Sequence, residues 1–255
     1  MKSFVAHFLL LGCLCLAFRY GYTNGNISVS SKYLWSKLIL TQHWPVTVCK
    51  MSNNHCKDPP KFWTLHGLWP GKAEMCNKSW PFNISEVQDL LPELEHWWPD
   101  VLHPNGSKFW RHEWLKHGTC AAELECLNSQ HKYFSKSLEM YKKVDLNSVL
   151  VKFGILPSAS YYQMKDIKAA IINIFGVTPK IQCLPPNQGE SAQTLGQIEI
   201  CFTQEFIPRN CSEGEDESRL LLKDAPVSWE LQHPDLSVCD NDLPTYYPPV
   251  ETIWA

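Results

Sequence analysis

The sequence predicts a single α+β domain with an antiparallel-type central sheet, several packed helices and stabilising disulfides. Stretches typical of strands and of helices occur in blocks rather than in strict alternation, which favours α+β over a doubly wound sheet. The chain of 255 residues has no internal repeat and no linker long enough to separate two domains. Its 11 cysteines are the third observation, because frequent cysteines in a secreted chain indicate disulfides.

Residues 1–24 have the pattern of a secretory signal peptide. The short charged start Met1-Lys2 precedes an apolar run from Phe4 to Phe18 that only His7 interrupts, and small or polar residues follow. A membrane anchor is the alternative, but a span needs about 20 apolar residues and this run is shorter. No later stretch is apolar enough to cross a bilayer. We therefore expect a mature chain of residues 25–255, without membrane insertion.

Four segments have the composition of strands. Pro45 should end the first of them, and Gly67 should mark the exit of the second. The last alternates apolar and polar residues, as a strand buried on one face does. The four predicted strands are residues 38–44, 61–66, 180–183 and 196–203.

Helical patterns fill the middle of the chain. Residues 107–127 lack proline and predict one long helix, weakened only at Gly118. A short helix should begin at the N-cap Ser85, with Gln88 three residues later, and end before Pro92. Three further helices are expected at residues 130–143, 146–153 and 161–175, the last closed by Gly176. An acidic solvated loop at residues 212–218 and an irregular tail from Asp240 complete the prediction.

The cysteines and the glycosylation signals fit an oxidising secretory route. Cys13 and Cys15 lie in the predicted signal peptide, which leaves an odd number of cysteines in the mature chain. No Cys-x-x-Cys pair or zinc-finger spacing occurs, so disulfides are favoured over metal ligands, with their connectivity open. Asn-x-Ser/Thr sites predict a glycoprotein carrying N-glycans at Asn26, Asn77, Asn83, Asn105 and Asn210.

The charge balance hints at acidic working conditions. The whole chain has a net charge of −3 with neutral histidines, and Lys2 and Arg19 leave with the predicted signal peptide. All ten histidines except His7 remain, and their reference pKa is about 6.5. A polyanionic ligand would be repelled at neutral pH and tolerated near pH 5. The alternative is that the histidines are scattered and have no common role.

The densest cluster of chemical groups lies between His112 and His117. On a helix with about 100° per residue, its polar side chains fall in one arc of about 140°. The four are His112, Glu113, Lys116 and His117. A solvated helix face is the structural alternative. A zinc site of the HExxH type is a second alternative, but here the second histidine stands at i+5 and Lys116 occupies the ligand position. We therefore expect no metal and no cofactor.

Two histidines, a carboxylate and an ammonium suit phosphoryl transfer by acid–base catalysis. RNA carries its own nucleophile, the 2′-OH, beside the phosphate. One histidine can remove that proton while another protonates the departing 5′-oxygen, and a lysine stabilises the extra negative charge. His66 supplies a further imidazole among aromatic residues, although a lone histidine there would more often belong to the core. Trp63 and Trp69 beside it are candidates for stacking on bases.

Two segments resemble the active-site segments of the ribonuclease T2 family. They are Thr64-Leu65-His66-Gly67-Leu68-Trp69-Pro70 and His112-Glu113-Trp114-Leu115-Lys116-His117-Gly118-Thr119-Cys120. The resemblance extends over the mature chain and implies an α+β catalytic domain with metal-independent endoribonuclease activity on single-stranded RNA. It implies an acid optimum and cleavage through a 2′,3′-cyclic phosphate to a 3′-phosphate.

The same resemblance assigns roles to residues. His117 would be the base and His66 the acid, with His112 binding phosphate, Glu113 and Lys116 stabilising the transition state, and Trp69 lining a base pocket. It also implies the disulfides Cys49–Cys56, Cys76–Cys120, Cys183–Cys239 and Cys201–Cys211, with Cys126 left over. Many relatives have an acidic residue where Gly71 stands, so base preference is not carried over.

The predicted signal peptide places the protein in the secretory pathway. We expect it to pass through the endoplasmic reticulum lumen, to be secreted or lysosomal, and to act on RNA as a monomer. The alternative function is that of a secreted glycoprotein whose main role is binding a partner independently of catalysis.

Overall fold

The structure, a computed structural model, describes residues 34–52, 56, 58–104, 106–211 and 236–250. The predicted signal peptide, the sequons at Asn26 and Asn105 and the predicted acidic loop at 212–218 lie outside the described residues. The described residues belong to one compact unit. Among them, no helix is long and apolar enough to cross a membrane.

An eight-stranded sheet with helices packed against it forms the α+β architecture that the sequence predicts. The main path of the sheet runs β2-β1-β5-β4-β7, with β6 and β8 pairing to β5 and β3 pairing to β8. The strands are β1 (Leu38–His43), β2 (Thr64–Pro70), β3 (Tyr161–Gln163), β4 (Lys180–Leu184), β5 (Gln193–Phe202), β6 (Pro208–Arg209), β7 (Ser237–Val238) and β8 (Pro244–Tyr246). Every described pair is antiparallel except β5 with β8, so the sheet is mixed.

The helical segments follow the predicted order with several changed boundaries. They are α1 (Pro45–Met51), a 3₁₀ turn (Ile84–Leu90), α2 (Leu91–Trp97), α3 (Lys108–Glu113), a π turn (Trp114–Gly118), α4 (Thr119–Ala121), a second 3₁₀ turn (Glu125–Leu127), α5 (Gln130–Lys143), α6 (Leu146–Lys152) and α7 (Met164–Phe175). The helix predicted at 130–143 is confirmed, and its N-cap is Ser129, whose hydroxyl accepts from the Lys132 N–H. Helix α7 begins at 164 rather than 161 because Tyr161–Gln163 pairs with β8.

The prediction of one long helix at 107–127 is wrong. Helix α3 passes into the π turn at Trp114, and after the short α4 a turn leads to the 3₁₀ segment that ends at Leu127. Gly118 explains part of this, since a Cβ there would lie 2.3 Å from the Trp114 ring. The tryptophan is packed over a position that only glycine can occupy.

Pro45 and Pro92 start helices as well as following the elements that they were predicted to end, since β1 ends at His43 and the first 3₁₀ turn ends at Leu90. Pro45 lies at the beginning of α1 and Pro92 at the beginning of α2, where a fixed φ suits the first turn and the missing N–H is not needed. The predicted N-cap Ser85 is also corrected, because the Asn83 side chain accepts from the Ser85 N–H. Strand β2 runs through Gly67 to Pro70 instead of ending at the glycine.

The C-terminal segment from Asp240 is more ordered than the irregular tail that the sequence predicts. Strand β8 pairs with both β3 and β5, and Tyr247 behind it is buried. The Tyr247 hydroxyl accepts from the Trp63 indole at 2.8 Å, and Pro248 accepts from the Trp44 indole at 2.9 Å. Buried indole N–H groups require such partners, so the tail completes the core.

Strand β5 lies in the middle of the sheet, and all ten of its residues are buried. The alternation predicted a strand with one solvent face, but its polar residues point into a buried polar layer. Gln197 and Glu199 are both in that layer. Buried polar side chains must find hydrogen-bond partners, which marks this face of the sheet as the place to look for a site.

The described residues contain four disulfides, two that close short loops and two that join segments 44 and 56 residues apart. They are Cys49–Cys56, Cys76–Cys120, Cys183–Cys239 and Cys201–Cys211, the same pairs that the resemblance implies, and Cys126 is in none of them. Of the sequons that the structure describes, Asn77 and Asn83 are exposed. Asn210 is half-buried, and its Oδ1 accepts from the Thr178 N–H at 2.7 Å.

We expect Gly118→Ala to destabilise the fold, against the usual preference of a helix for alanine. Propensity alone favours alanine by about 1 kcal/mol, but the new Cβ would press on the Trp114 ring, and overpacking costs roughly 1–3 kcal/mol. Urea unfolding followed by tryptophan fluorescence measures the net change in the free energy of unfolding. The control is Gly106→Ala, where the nearest atom to a new Cβ is 3.7 Å away. A Gly118→Ala variant as stable as the parent would contradict the packing argument.

Candidate active site

His66 occupies an irregularity in strand β2. The pairing with β1 steps from Thr41–Gly67 to Gln42–Leu65, so His66 is the extra residue of a β-bulge. Bulges bend a strand and re-aim a side chain, and they are frequent beside active sites. The His66 backbone oxygen accepts from the Trp98 indole at 2.7 Å. Both features fix where the imidazole points.

The two ring nitrogens of His66 face different environments. Its Nδ1 lies 2.8 Å from Gln197 Oε1, and its Nε2 lies 4.0 Å from Glu113 Oε1. Burial lowers the pKa of His66 to about 4, and the nearby charges of His112 and Lys116 act in the same direction while the bond to Gln197 opposes it. The side chain still exposes 30% of its surface, so a ligand can reach it.

Glu113 is a buried carboxyl group at the end of α3, with 1% of its surface exposed. Its Oε2 accepts from the Trp69 indole at 2.8 Å. Burial raises the pKa of Glu113 to about 8, although the indole and Lys116 favour the charged form. The position requires Gly67 in β2, since a Cβ there would lie 2.3 Å from Glu113 Oε2. The free site therefore holds a neutral carboxyl group at and below neutral pH.

His117 lies in the π turn and stacks on the other side of the site. Its ring is 5.1 Å from the Trp69 ring at an interplanar angle of 29°, while His66 meets the same indole edge-on at 4.9 Å. Only 6% of His117 is exposed, and burial followed by the charges of Lys116, His112 and His66 lowers its pKa to about 2. Two imidazoles thus contact one tryptophan, and both are neutral in the free site at neutral pH.

The π turn explains how an i+5 spacing makes one site. A π turn closes hydrogen bonds between residues five apart, and here the Thr119 N–H reaches Trp114 O. The wider turn brings His112 and His117 closer in angle than a regular α-helix would. The charge of His112 lowers the pKa of both His66 and His117, so His112 interacts electrostatically with both imidazoles.

Lys116 completes the cationic side of the site. Its Nζ lies 3.7 Å from Glu74 Oε1, and its backbone oxygen accepts from the Met75 N–H at 2.9 Å. The Cys76–Cys120 disulfide ties the same loop to α4. The loop that follows β2 is therefore joined both covalently and by hydrogen bonds to the segment that carries the catalytic candidates.

The structure brings together all but one of the predicted site residues. His66, Trp69, His112, Glu113, Lys116 and His117 share one site, as described above. The prediction for Trp63 is wrong. Its side chain is 0% exposed, packs against Trp44 and donates to Tyr247, so no face is open to a base. Its neighbour along the chain, Phe62, is the half-exposed aromatic residue.

Sequence reasoning missed three residues that contact His66. His43 at the end of β1 has its ring 5.0 Å away, Phe109 on α3 has its ring 5.6 Å away and is half-exposed, and Gln197 accepts at Nδ1. Burial and His66 lower the pKa of His43 well below its usual value. The alternation in β5 put Gln197 and Glu199 on one face, but nothing in the sequence tied that face to His66.

The arrangement suits proton transfer at an anionic group. Two neutral imidazoles, a protonated carboxyl group and an ammonium contribute to a site in which His66 stays 30% exposed, and a bound phosphate would supply the negative charge that the free site lacks. Burial strengthens such interactions because the local dielectric is low. Within the ranges that the structure describes, no cluster of three or more His, Cys, Asp or Glu side chains has the arrangement of a metal site.

Comparisons with known proteins agree with this site. The model of the "Ribonuclease T2 family" matches residues 35–211. The chain is 52% identical to Ribonuclease T2 of Homo sapiens over 243 residues, which cover 94% of each sequence. The crystal structure of human RNase T2 is 53% identical with a TM-score of 0.71, covering 84% of this chain and 99% of that chain. The crystal structure of RNase NT in complex with 5′-AMP is 27% identical with a TM-score of 0.65, covering 85% of this chain and 99% of that chain. The chain belongs to the ribonuclease T2 family and is a T2-type endoribonuclease.

Proposed function

We propose that the protein cleaves single-stranded RNA without a metal ion, by transphosphorylation through a 2′,3′-cyclic phosphate to a 3′-phosphate, and works best in acid. The observation that carries this proposal is the pair of imidazoles on one indole, His66 at 4.9 Å and His117 at 5.1 Å from the Trp69 ring. A phosphodiester between them meets one proton acceptor and one proton donor. Such a pair is what in-line transfer from a 2′-OH to a 5′-oxygen needs.

The proposed reaction has two steps. In the first, His117 takes the proton of the 2′-OH, the 2′-oxygen bonds to phosphorus, and the 5′-oxygen leaves with a proton from His66. In the second, His66 takes a proton from a water molecule whose oxygen bonds to phosphorus, and the 2′-oxygen leaves phosphorus with the proton that His117 holds, so that both imidazoles return to their starting states. These roles follow the family resemblance, and the contacts of both rings with Trp69 support them.

Three groups are proposed to stabilise the phosphorane-like transition state. Lys116 and His112 supply positive charge. Glu113, whose pKa of about 8 keeps it protonated in acid, donates a hydrogen bond to a non-bridging oxygen. A neutral donor suits this place better than a carboxylate, which would repel the phosphate.

Base binding is proposed at the aromatic residues near His66. Trp69 lines the pocket with the exposed part of its ring, while the rest of the side chain holds Glu113 and His117. Phe109 offers a half-exposed ring beside His66, and stacking on such a ring contributes roughly 1–3 kcal/mol per base. The 5′-AMP in the related structure of RNase NT supports nucleotide binding by this fold.

We propose that the protein works outside the cytosol, secreted or in lysosomes, after passage through the endoplasmic reticulum, and as a monomer. Four disulfides favour an oxidising compartment. The predicted signal peptide at residues 1–24 supplies the route, and the lowered histidine pKa values suit an acidic compartment.

Removal of either imidazole should abolish most of the activity. We expect His66→Ala and His117→Ala each to lower kcat by about 10²–10⁴-fold, the usual contribution of one proton transfer. Cleavage of a defined oligoribonucleotide at pH 5 measures this. His131→Ala is the matched control, because His131 is exposed and pairs with Asp89 away from the site. Equal losses in all three variants would contradict the assignment.

The pH dependence follows from the lowered pKa of His66. The acid must be protonated, so kcat/KM, which reports on the free enzyme, should fall as pH rises above about 4. A bound phosphodiester favours the charged imidazole, so the fall of kcat should occur at a higher pH than the fall of kcat/KM. Steady-state rates from pH 3.5 to 8 measure both pH dependences. A kcat/KM that rises from pH 4 to pH 7 would overturn the acid role of His66.

Metal removal and substrate chemistry test the mechanism itself. We expect full activity in EDTA, and no cleavage after a nucleotide whose 2′-OH is replaced by hydrogen or methoxy, because that hydroxyl is the nucleophile. End-group analysis should find a 2′,3′-cyclic phosphate that later becomes a 3′-phosphate. Loss of activity in EDTA, or cleavage after the 2′-methoxy nucleotide, would mean that a different nucleophile is used.

A further inference from the structure

A buried network of hydrogen-bonded polar side chains lies behind His66, on the side away from the proposed substrate site. Gln197 Oε1 is 2.8 Å from His66 Nδ1, and Gln197 Nε2 donates both to Gln182 and, at 3.1 Å, to Glu199 Oε1. Glu199 Oε2 lies 3.4 Å from Lys180 Nζ. Gln197 and Glu199 are both buried. The network therefore connects a half-buried lysine to the imidazole through side chains that are buried from water.

The pairing of β4 with β5 fixes the positions of the side chains in this network. Gln197 and Glu199 alternate on one face of β5, and β4 places Gln182 opposite Gln197 and Lys180 opposite Glu199. The pairing then steps from Gln182–Gln197 to Cys183–Leu195, which leaves Gly196 as the extra residue of a second bulge. Two side chains from β4 and two from β5 are thus brought together by the backbone pairing of these strands.

The hydrogen-bond donors and acceptors of this network determine the orientation of the Gln197 amide. A carboxylate only accepts hydrogen bonds, and Glu199 is paired with a lysine, so the amide NH₂ of Gln197 must face Glu199. The amide oxygen is then the atom that faces His66. Because that oxygen only accepts, His66 must carry a hydrogen on Nδ1. Its Nε2 is left as the nitrogen that faces Glu113 and the pocket.

We propose that Gln197 is a positioning residue that holds His66 as the Nδ1–H tautomer with Nε2 toward the substrate, and that Glu199 fixes Gln197 in the orientation this requires. Its consequence for catalysis rests on the proposed function. The proton on Nδ1 is present in both charge states, so only the Nε2 proton moves during the reaction. The partner of one ring nitrogen sets the role of the other.

Other charged and titratable groups also face His66, and their effects must be separated from that of Gln197. His43 approaches from β1, His112 and Glu113 from α3, and Lys116 and His117 from the π turn. These groups act on the charge of the imidazole. Within the described residues, the hydrogen bond at Nδ1 is made by Gln197.

The first test removes the acceptor and keeps the size of the side chain. In Gln197→Leu we expect kcat on RNA to fall roughly 10–100-fold, as for other partners that orient a functional histidine, with little change in KM. The matched control is Gln193→Leu. Gln193 is buried on the same strand, but its amide bonds Asp240 and Thr245 instead of the site. The control should lose stability and keep its kcat.

The second readout does not depend on catalysis. In protein with ¹⁵N-labelled histidine, the ring nitrogen shifts should show His66 protonated at Nδ1 in the parent and in Gln193→Leu, and a loss of this preference in Gln197→Leu. Assignment uses His66→Ala. If the parent holds His66 as the Nε2–H tautomer, the proposal is overturned whether or not Gln197→Leu folds.

The third test restores the acceptor in a different form. The double exchange Gln197→Glu with Glu199→Gln keeps an accepting oxygen on His66 and moves the negative charge one step closer to it. We expect kcat to recover relative to Gln197→Leu. The pH at which the rate falls as His66 loses its proton should be higher, because a nearby carboxylate favours the imidazolium. Recovery of kcat without this shift in pH dependence would contradict the proposed contact.

These outcomes separate the two proposals. An active parent whose Gln197→Leu variant keeps full kcat, or loses it with an unchanged His66 tautomer, overturns the role of Gln197 and leaves the proposed function intact. A parent without activity on RNA overturns the proposed function, while the nitrogen shifts still decide the tautomer of His66.

Discussion

The contact between the Glu113 carboxyl group and the backbone of Gly67 is the constraint on which the site depends. Strand β2 and helix α3 approach so closely that a Cβ at Gly67 would lie 2.2 Å from the Trp69 indole nitrogen and 2.3 Å from Glu113 Oε2. The indole donates to the same carboxyl oxygen. Because His66 precedes Gly67, Trp69 follows it by two residues and His117 follows Glu113 by four, this approach brings both imidazoles against the Trp69 ring.

Three departures from regular secondary structure determine the remaining geometry of the site. The bulges at His66 and Gly196 each add one residue to a strand, and the π turn at Trp114–Gly118 widens one turn of helix. A regular strand would set His66 by strict alternation, and a regular helix would turn His117 further away from His112. Glycines with no room for a Cβ, Gly67, Gly118 and Gly196, lie at or next to each irregularity. Bulges and π turns of this kind are frequent at functional sites.

Sequence reasoning succeeded for the family, because the segments around His66 and His117 carry the resemblance that the family model bears out. The side chains of these two segments also lie close together in the structure. Sequence reasoning failed for Trp63 because a tryptophan beside a histidine looks the same whether it faces a ligand or the core, and here the partner that buries it is Tyr247, distant in sequence. The prediction of a single helix at 107–127 failed because the segment changes to a π turn at Trp114 and ends at Ala121, and the absence of proline reveals neither change. Gln197 escaped notice because its meaning depends on strand register, which a single sequence does not reveal.

The electrostatics of the free site suit the binding of an anionic substrate. Burial lowers the pKa of His66 to about 4 and that of His117 to about 2, and it raises that of Glu113 to about 8, so each group is driven toward its neutral form. A phosphodiester reverses the balance, because its charge favours the imidazolium form and leaves the neutral carboxyl group as a donor. In the proposed mechanism, proton transfer therefore becomes available when the substrate is in place. Gln197 keeps one hydrogen bond constant through that change, so the nitrogen that faces the substrate is the one that titrates.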